Sequence, residues 1–193
     1  MKKFIFATNN PHKLEEIRQL VKNEFIILSL SDVGFNIDIP EDFDSLQENA
    51  LQKARIVHQM TGLDCFADDT GLEIDALDKR PGVNSARYAG PECNSEKNIR
   101  KVLKELGDTP FRSARFKTII ALILNNKEFL FEGKVEGEII YEKHGLFGFG
   151  YDPIFRPEHH LVTFAEMSAE DKNRISHRGK AVEKLIKFLR NSM

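Results

Sequence analysis

Apolar and polar residues alternate over residues 3–8 closely enough for a first strand. The period then changes to a helical one. Pro11 sits where a helix tolerates proline best, in its first turn, and Leu14, Ile17, Leu20 and Val21 fall on one face behind it. A second strand is expected over Phe25 to Leu30, followed by a polar loop to about Ser45. Ser45-Leu46-Gln47-Glu48 has the spacing of a capping box, and Leu46, Ala50, Ala54 and Val57 form the stripe of the helix it starts. An apolar run from Leu63 to Ala67 predicts a strand ending at Asp68-Asp69, and Leu72 to Leu77 predicts another short one. Asn94 or Ser95 caps a helix through Ile99, Val102, Leu103 and Leu106, which Gly107 closes.

The middle of the chain returns to period two. Arg115 to Leu124 and Phe129 to Tyr141 read as two long strands joined at Asn125-Asn126, a pair suited to a tight hairpin. Residues 145–152 form a glycine-rich loop with aromatics, Ser168 caps a short helix, and residues 178–190 form a terminal helix with Val182, Leu185, Ile186 and Leu189 inward. Strand–helix alternation followed by a hairpin predicts an α/β fold, a mixed sheet flanked by helices. With no repeat or long linker, one domain over 1–193 is expected.

Composition changes this picture little. Hydrophobic residues are 41% and charged residues 30% of the 193, ordinary for a globular protein, and a net charge of −2 gives no bulk attraction to nucleic acid or membrane. No basic stripe or RNA-binding signature is read, which sets a nucleic-acid module aside. Cys65 and Cys93 lack metal-ligand spacing and read as reduced thiols; with apolar runs too short for a signal peptide or a membrane span, a cytoplasmic protein is expected.

The chemistry starts at Asp68-Asp69. Two like charges at the end of a buried strand repel and are costly unless a cation compensates, either a divalent metal or lysines. Asp-Asp-Thr-Gly also suits a plain β-turn. Lysines that could compensate are Lys13, Lys53 and Lys172. Thr8-Asn9-Asn10-Pro11-His12-Lys13 joins a strand to a helix, so backbone N–H groups, the helix dipole, two polar side chains and an ammonium converge where a phosphate could sit. Glu41 follows Pro40 in the polar loop; folded back towards Asp69, it would give a hard cation two oxygen ligands. Lys53 is one position off an apolar stripe, where most lysines extend to water.

Glycines around Phe149 in Phe147-Gly148-Phe149-Gly150-Tyr151-Asp152-Pro153 let backbone approach a flat ligand while the ring stacks on it. Asp152 is placed either to accept hydrogen bonds from a base or to fix the loop. Ser176-His177-Arg178-Gly179-Lys180 gives a helix start with an anion-binding character, in which His177 serves equally well as a packing residue.

Taken in order, these stretches resemble the inosine triphosphate pyrophosphatase family, Ham1-like pyrophosphatases of non-standard purine nucleoside triphosphates. The resemblance rests on Ala7 to Lys13, Glu48-Asn49-Ala50 with Lys53-Ala54, Ala67 to Leu72, Pro81-Gly82-Val83 with Ser85 to Tyr88, Gly148 to Pro153, and Ser176 to Gly179. Asn9 and Thr70 stand where many members have glycine and serine. The resemblance implies an elongated mixed sheet flanked by helices, in two lobes with a central cleft, and a homodimer. It implies hydrolysis of ITP, dITP and XTP to the monophosphate and pyrophosphate, with Mg²⁺ near Glu41 and Asp69. Asp69 would be the general base, with Asp68 supporting it or the metal shell. Thr8, Asn10, Lys13, Lys53 and Lys172 would hold the triphosphate, with Thr70 beside them. Phe149, Gly150, Tyr151, Asp152, His177 and Arg178 would take the purine. Competing readings are a pyrophosphatase for modified pyrimidine or methylated nucleotides and a non-catalytic nucleotide-binding regulator. The regulator would need neither Asp69 nor Glu41, so the paired acids argue against it.

Overall fold

In the computed structural model, residues 1–192 are described except Asn23 and Asn36. The chain runs β1 (Lys3–Phe6), α1 (Pro11–Val21), β2 (Ile26–Leu28), α2 (Leu46–Thr61), β3 (Cys65–Ile74), β4 (Pro81–Gly82), α3 (Ser95–Leu106), β5 (Ser113–Leu124), β6 (Lys127–Ile139), β7 (Phe155–Pro157), α4 (Ala169–Ile175) and α5 (His177–Ser192). The sheet has the order β2-β1-β3-β5-β6-β7, with β4 beside β3. β1 is parallel to β2 and β3, while β3–β4 and β6–β7 are antiparallel, so the sheet is mixed and the α/β expectation holds.

Chain contacts divide the molecule into two compact units. The first comprises Met1–Asp69, Thr118–Gly133 and Gly179–Met193, the second Thr70–Lys117 and Lys134–Arg178. In the first, Phe4, Phe6 and Phe66 pack with Ile17 of α1 and Leu185 of α5, and the Phe6 and Phe66 rings stack at 4.8 Å. Burying each such ring contributes about 2–3 kcal/mol. In the second, Ile99, Val102 and Leu106 of α3 pack with Leu72, Ile74, Phe116, Phe155 and Phe164.

Local signals set most boundaries. Asn10, Ser45, Asn94 and Ser168 cap their helices through side-chain oxygens. Asn125 and Asn126 both take positive φ (50° and 61°), the geometry that lets a two-residue hairpin follow the strand twist. The second strand is shorter than expected because Asp32 accepts the Ser29 N–H at 2.9 Å and turns the chain into a 3₁₀ turn over Ser31–Val33. The larger difference is β3. Asp68-Asp69 does not end a strand; it lies inside ten continuous strand residues that absorb the separate strand expected at Leu72. The turn preference of Asp-Asp-Thr-Gly is overridden by a ladder in which both acids find cationic partners. A second difference lies on α3, whose outer face carries Lys97, Arg100, Lys101 and Lys104 around a shallow groove with Glu105, a basic stripe absent from the sequence expectation. No helix among the described residues is long and apolar enough to cross a membrane.

Candidate functional site

Successive strand residues face opposite sides of a sheet, and β3 uses this to separate its two acids. Phe66 packs with the α1–α5 core, whereas the Cys65 thiol donates to the Ala54 carbonyl of α2 at 3.2 Å. Asp68 therefore shares the α1 side and Asp69 the α2 side. Lys13, on the first turn of α1, donates to Asp68 Oδ1 at 2.9 Å, and the Asp68 side chain is fully buried. Lys53 of α2 reaches Asp69 Oδ1 at 3.4 Å and Glu41 Oε1 at 2.5 Å. Glu41 and Asp69 thus meet on one ammonium. Lys53 does not extend to water but is nearly buried itself. Asp68 makes its direct contact with Lys13, while its charge still acts on Lys53 and Asp69.

Electrostatics separates the partners. Burial works against the charge on Lys53, but Asp69, Glu41 and Asp68 outweigh it and hold its pKa above the ordinary value. Burial pushes Asp69 up; Lys53 and Lys13 pull it down, Glu41 and Asp68 add to the rise, and the net shift is upward. Among the described residues of this cluster, three carboxylates meet two ammonium groups, and Asp69 Oδ2 is buried with no hydrogen-bond partner. An anionic oxygen left so costs stability unless a cation or proton reaches it. The residues accordingly fit a hard divalent cation. No group of three His, Cys, Asp or Glu side chains among the described residues could hold one alone, so its remaining positions would fall to water and substrate oxygens, the habit of Mg²⁺.

The turn before α1 differs from its expected form. Asn10 Oδ1 accepts the N–H groups of His12 at 3.0 Å and Lys13 at 3.3 Å, and Thr8 Oγ1 accepts the Asn10 N–H at 3.2 Å. The helix start has capped its own donors. What this turn can still lend an anion is the Thr8 hydroxyl proton, the Asn10 amide and the Lys13 ammonium.

A second cluster lies wholly in the second unit. Asp152 Oδ2 accepts the Phe149 N–H at 2.8 Å and the Lys172 ammonium at 2.8 Å, both partners of that ion pair being buried. Lys172 lies 4.9 Å from the Phe149 ring centroid and Arg178 lies 5.7 Å from it. The almost fully buried Arg178 donates to Thr70 Oγ1 at 3.2 Å, and the His177 ring stacks on Phe116 at 4.6 Å. Asp152 holds the loop through the Phe149 N–H, the His177 ring stacks on Phe116, and Lys172 stands with the aromatic loop. A β-carbon on Gly148 would lie 2.2 Å from Asp152 Oδ2, and φ there is +75°, so only glycine lets the loop close on that carboxylate. Gly150 also has positive φ, +63°. The buried Tyr151 hydroxyl donates to the Ser85 carbonyl at 2.8 Å, and burial pushes its pKa up.

Residues 4–188 match the family model described as the Ham1 family. The chain belongs to the Ham1 family. It is 55% identical over 190 residues to a dITP/XTP pyrophosphatase of Porphyromonas gingivalis, covering 98% of each chain. It is 51% identical over 187 residues to one of Flavobacterium psychrophilum, covering 97% of this chain and 98% of that one. Among solved structures, the Staphylococcus aureus Ham1 protein superposes with a TM-score of 0.90 at 36% identity, and all of both chains is covered. A Coxiella burnetii HAM1 protein gives 0.90 at 41%, covering 99% of this chain and all of that one.

Sequence reasoning left two residues of this Ham1 protein without a role. Asn49 is completely buried, and it accepts the Phe43 N–H at 2.9 Å while donating to the Phe43 carbonyl at 3.0 Å. Gln52 accepts the Asp42 N–H at 3.1 Å and donates to the Asp42 side-chain carboxylate at 2.6 Å. A polar residue beside the apolar stripe of α2 was the visible signal, since a buried amide must satisfy both of its ends.

Proposed function

We propose that this protein hydrolyses non-standard purine nucleoside triphosphates, ITP, dITP and XTP, to the nucleoside monophosphate and pyrophosphate. The single observation that carries the reading is the Glu41–Lys53–Asp69 group, with its surplus acid and the unpartnered Asp69 Oδ2. Water attacks the α-phosphorus, Asp69 takes its proton, and the bond from that phosphorus to the α–β bridging oxygen breaks, releasing pyrophosphate. The upward shift of Asp69 suits a base that must accept a proton and later return it. Lys13, braced by Asp68, and the Thr8 hydroxyl orient phosphate oxygens, and Lys53 adds charge beside them. Glu41 and Asp69 would hold Mg²⁺, which when bound neutralises phosphate oxygens.

In the second cluster Phe149 stacks on the purine. The two cations beside its ring, Lys172 and Arg178, donate and cannot accept, so they suit the 6-keto oxygen of hypoxanthine and xanthine. Adenine would set its own 6-amino donor against them, a mismatch of several powers of ten when water is excluded. Asp152 and His177 hold the frame, with Thr70, Gly150 and Tyr151. A single domain, a homodimer and a cytoplasmic location complete the reading. Exposed Leu146, Phe147 and Leu161 offer apolar surface for self-association, and both cysteines are unbridged.

The test is a panel of standard and deaminated nucleotides with Mg²⁺, with phosphorus products identified. Pyrophosphate from ITP and XTP, with ATP and GTP turned over at least about a hundredfold more slowly, is the expected result. Orthophosphate as first product would overturn the cleavage position.

A further inference from the structure

α2 carries Asn49, Gln52 and Lys53 at positions i, i+3 and i+4, so one helix face presents all three. They meet Phe43, Asp42 and Glu41 respectively, the loop running antiparallel to the helix, one residue per contact. For a stretch without regular structure, Asn49 replicates the paired N–H and carbonyl contacts of a strand neighbour, and Gln52 replicates the N–H contact. Asn49 uses both ends of its amide on the Phe43 backbone; Gln52 takes the Asp42 N–H and returns a bond to the Asp42 carboxylate. The far end of the loop is tied as well, because Asn9 of the phosphate turn donates to the Ile37 carbonyl at 2.8 Å.

We propose that Asn49 and Gln52 are positioning residues for metal binding: they set the register of the loop and thereby deliver the Glu41 carboxylate to Asp69. This rests on reading Glu41 and Asp69 as the cation's ligands. Neither amide touches substrate or the reacting atoms. Their effect is to order the loop before the cation arrives, so that binding does not have to supply that order. Lys53 alone cannot do this, since a flexible ammonium accepts a carboxylate from many directions.

The experiment compares Asn49→Ala, Gln52→Ala and the control Arg55→Ala, whose side chain on the same helix pairs with Glu128 instead. Each missing hydrogen bond is worth about fivefold in an equilibrium. Asn49→Ala should speed amide exchange at Phe43 and raise the Mg²⁺ concentration for half-maximal ITP hydrolysis about tenfold or more, while kcat at saturating metal stays within about twofold. Gln52→Ala, milder because the side chain is only half-buried, should shift the metal midpoint about three- to fivefold and speed exchange at Asp42. Mn²⁺ titrated onto the protein without nucleotide should follow the same order, and Arg55→Ala should move none of these. Should Asn49→Ala fail to fold, Gln52→Ala carries the test. Faster exchange with unmoved metal midpoints makes the contacts merely structural and overturns the proposal; unchanged exchange overturns it too. A wild type that releases pyrophosphate without metal fails the functional reading instead. Exchange at Phe43 and Asp42, with Mn²⁺ binding, then still decides whether the helix holds the loop for a cation.

Discussion

The two clusters use similar side chains to opposite ends. In the first unit, among the described residues, Glu41 and Asp69 share the Lys53 ammonium and the buried Asp69 Oδ2 has no hydrogen bond, so a place for further positive charge is left. In the second, Asp152 pairs with the buried Lys172 and also holds the loop N–H, and the cations sit against an aromatic face. An incomplete cluster invites a cation and a reacting phosphate. A cluster built on a buried ion pair and an aromatic face holds its shape and reads a ligand by fit. Loss of a residue in the first should therefore act on turnover, and in the second on affinity and selectivity.

The largest effect should come from Asp69→Asn. The amide keeps the shape of the side chain and removes the proton acceptor, so kcat for ITP should fall by about 10³–10⁴ with nucleotide binding retained. Steady-state kinetics together with equilibrium binding separates the two. Near-normal kcat would remove Asp69 from the chemistry and dissolve the contrast.

Next is Lys53→Met, which leaves Glu41 and Asp69 facing each other without their shared ammonium. Turnover should fall by about 10²–10³, the range for loss of one preorganised charge. The pH profile sharpens the point. Burial raises the Asp69 pKa and Lys53 is the strongest influence opposing that rise, so the ascending limb of kcat/KM should lie above 3.8 in the wild type and move further up in the variant. A carboxylate with a raised folded pKa contributes stability fully only below its unfolded value and loses it as pH rises through the folded one. The variant's melting deficit should be largest above the folded pKa of Asp69 and shrink as pH falls towards 3.8. A deficit independent of pH would mean Lys53 acts by packing alone.

Phe149→Ala tests the other half. Losing a base-stacking ring should raise KM for ITP by about tenfold to a hundredfold with a smaller change in kcat, and narrow the preference for ITP over ATP. A fall in kcat with KM unchanged would place Phe149 in the chemistry and erase the division between clusters.

What could be read in the chain divides along similar lines. Periodicity, caps and the Asn125-Asn126 turn are local, and they located nearly every helix and the long hairpin. The site residues were legible as types in order, but their pairing was not. Lys13 reaches Asp68 across 55 positions, and Arg178 reaches Thr70 across 108. Lys53 was misleading for a physical reason: a lysine beside an apolar stripe normally extends to water, and only the two carboxylates brought in by Glu41 and β3 make its burial tolerable. Asp-Asp-Thr-Gly suited a turn as well as a charged strand end, because propensity cannot see the cations that let it stay extended. Asn49 showed only as a polar residue beside the apolar stripe of α2 within Glu48-Asn49-Ala50, and its role was not legible because its partner is backbone of a loop without periodicity.

The smallest effect probes the boundary between scaffold and site. Asn10 spends its carbonyl oxygen on the N–H groups of His12 and Lys13, which makes it first a helix cap. Removing such a cap costs about 1 kcal/mol, or roughly 2–4 °C in melting temperature for a chain of this size. Asn10→Ala should therefore lower the melting temperature by about that much and raise KM by no more than about threefold, because Lys13 keeps its ammonium anchored on Asp68 whatever happens at the cap. Asn10→Asp restores the acceptor and with it the melting temperature, while removing the amide donor and adding a negative charge. If Asn10→Asp recovers stability yet raises KM well beyond Asn10→Ala, the turn senses phosphate charge directly. If Asn10→Ala alone raised KM tenfold, the amide itself would be a phosphate ligand, and the turn would belong to the reactive cluster as fully as Lys13 does.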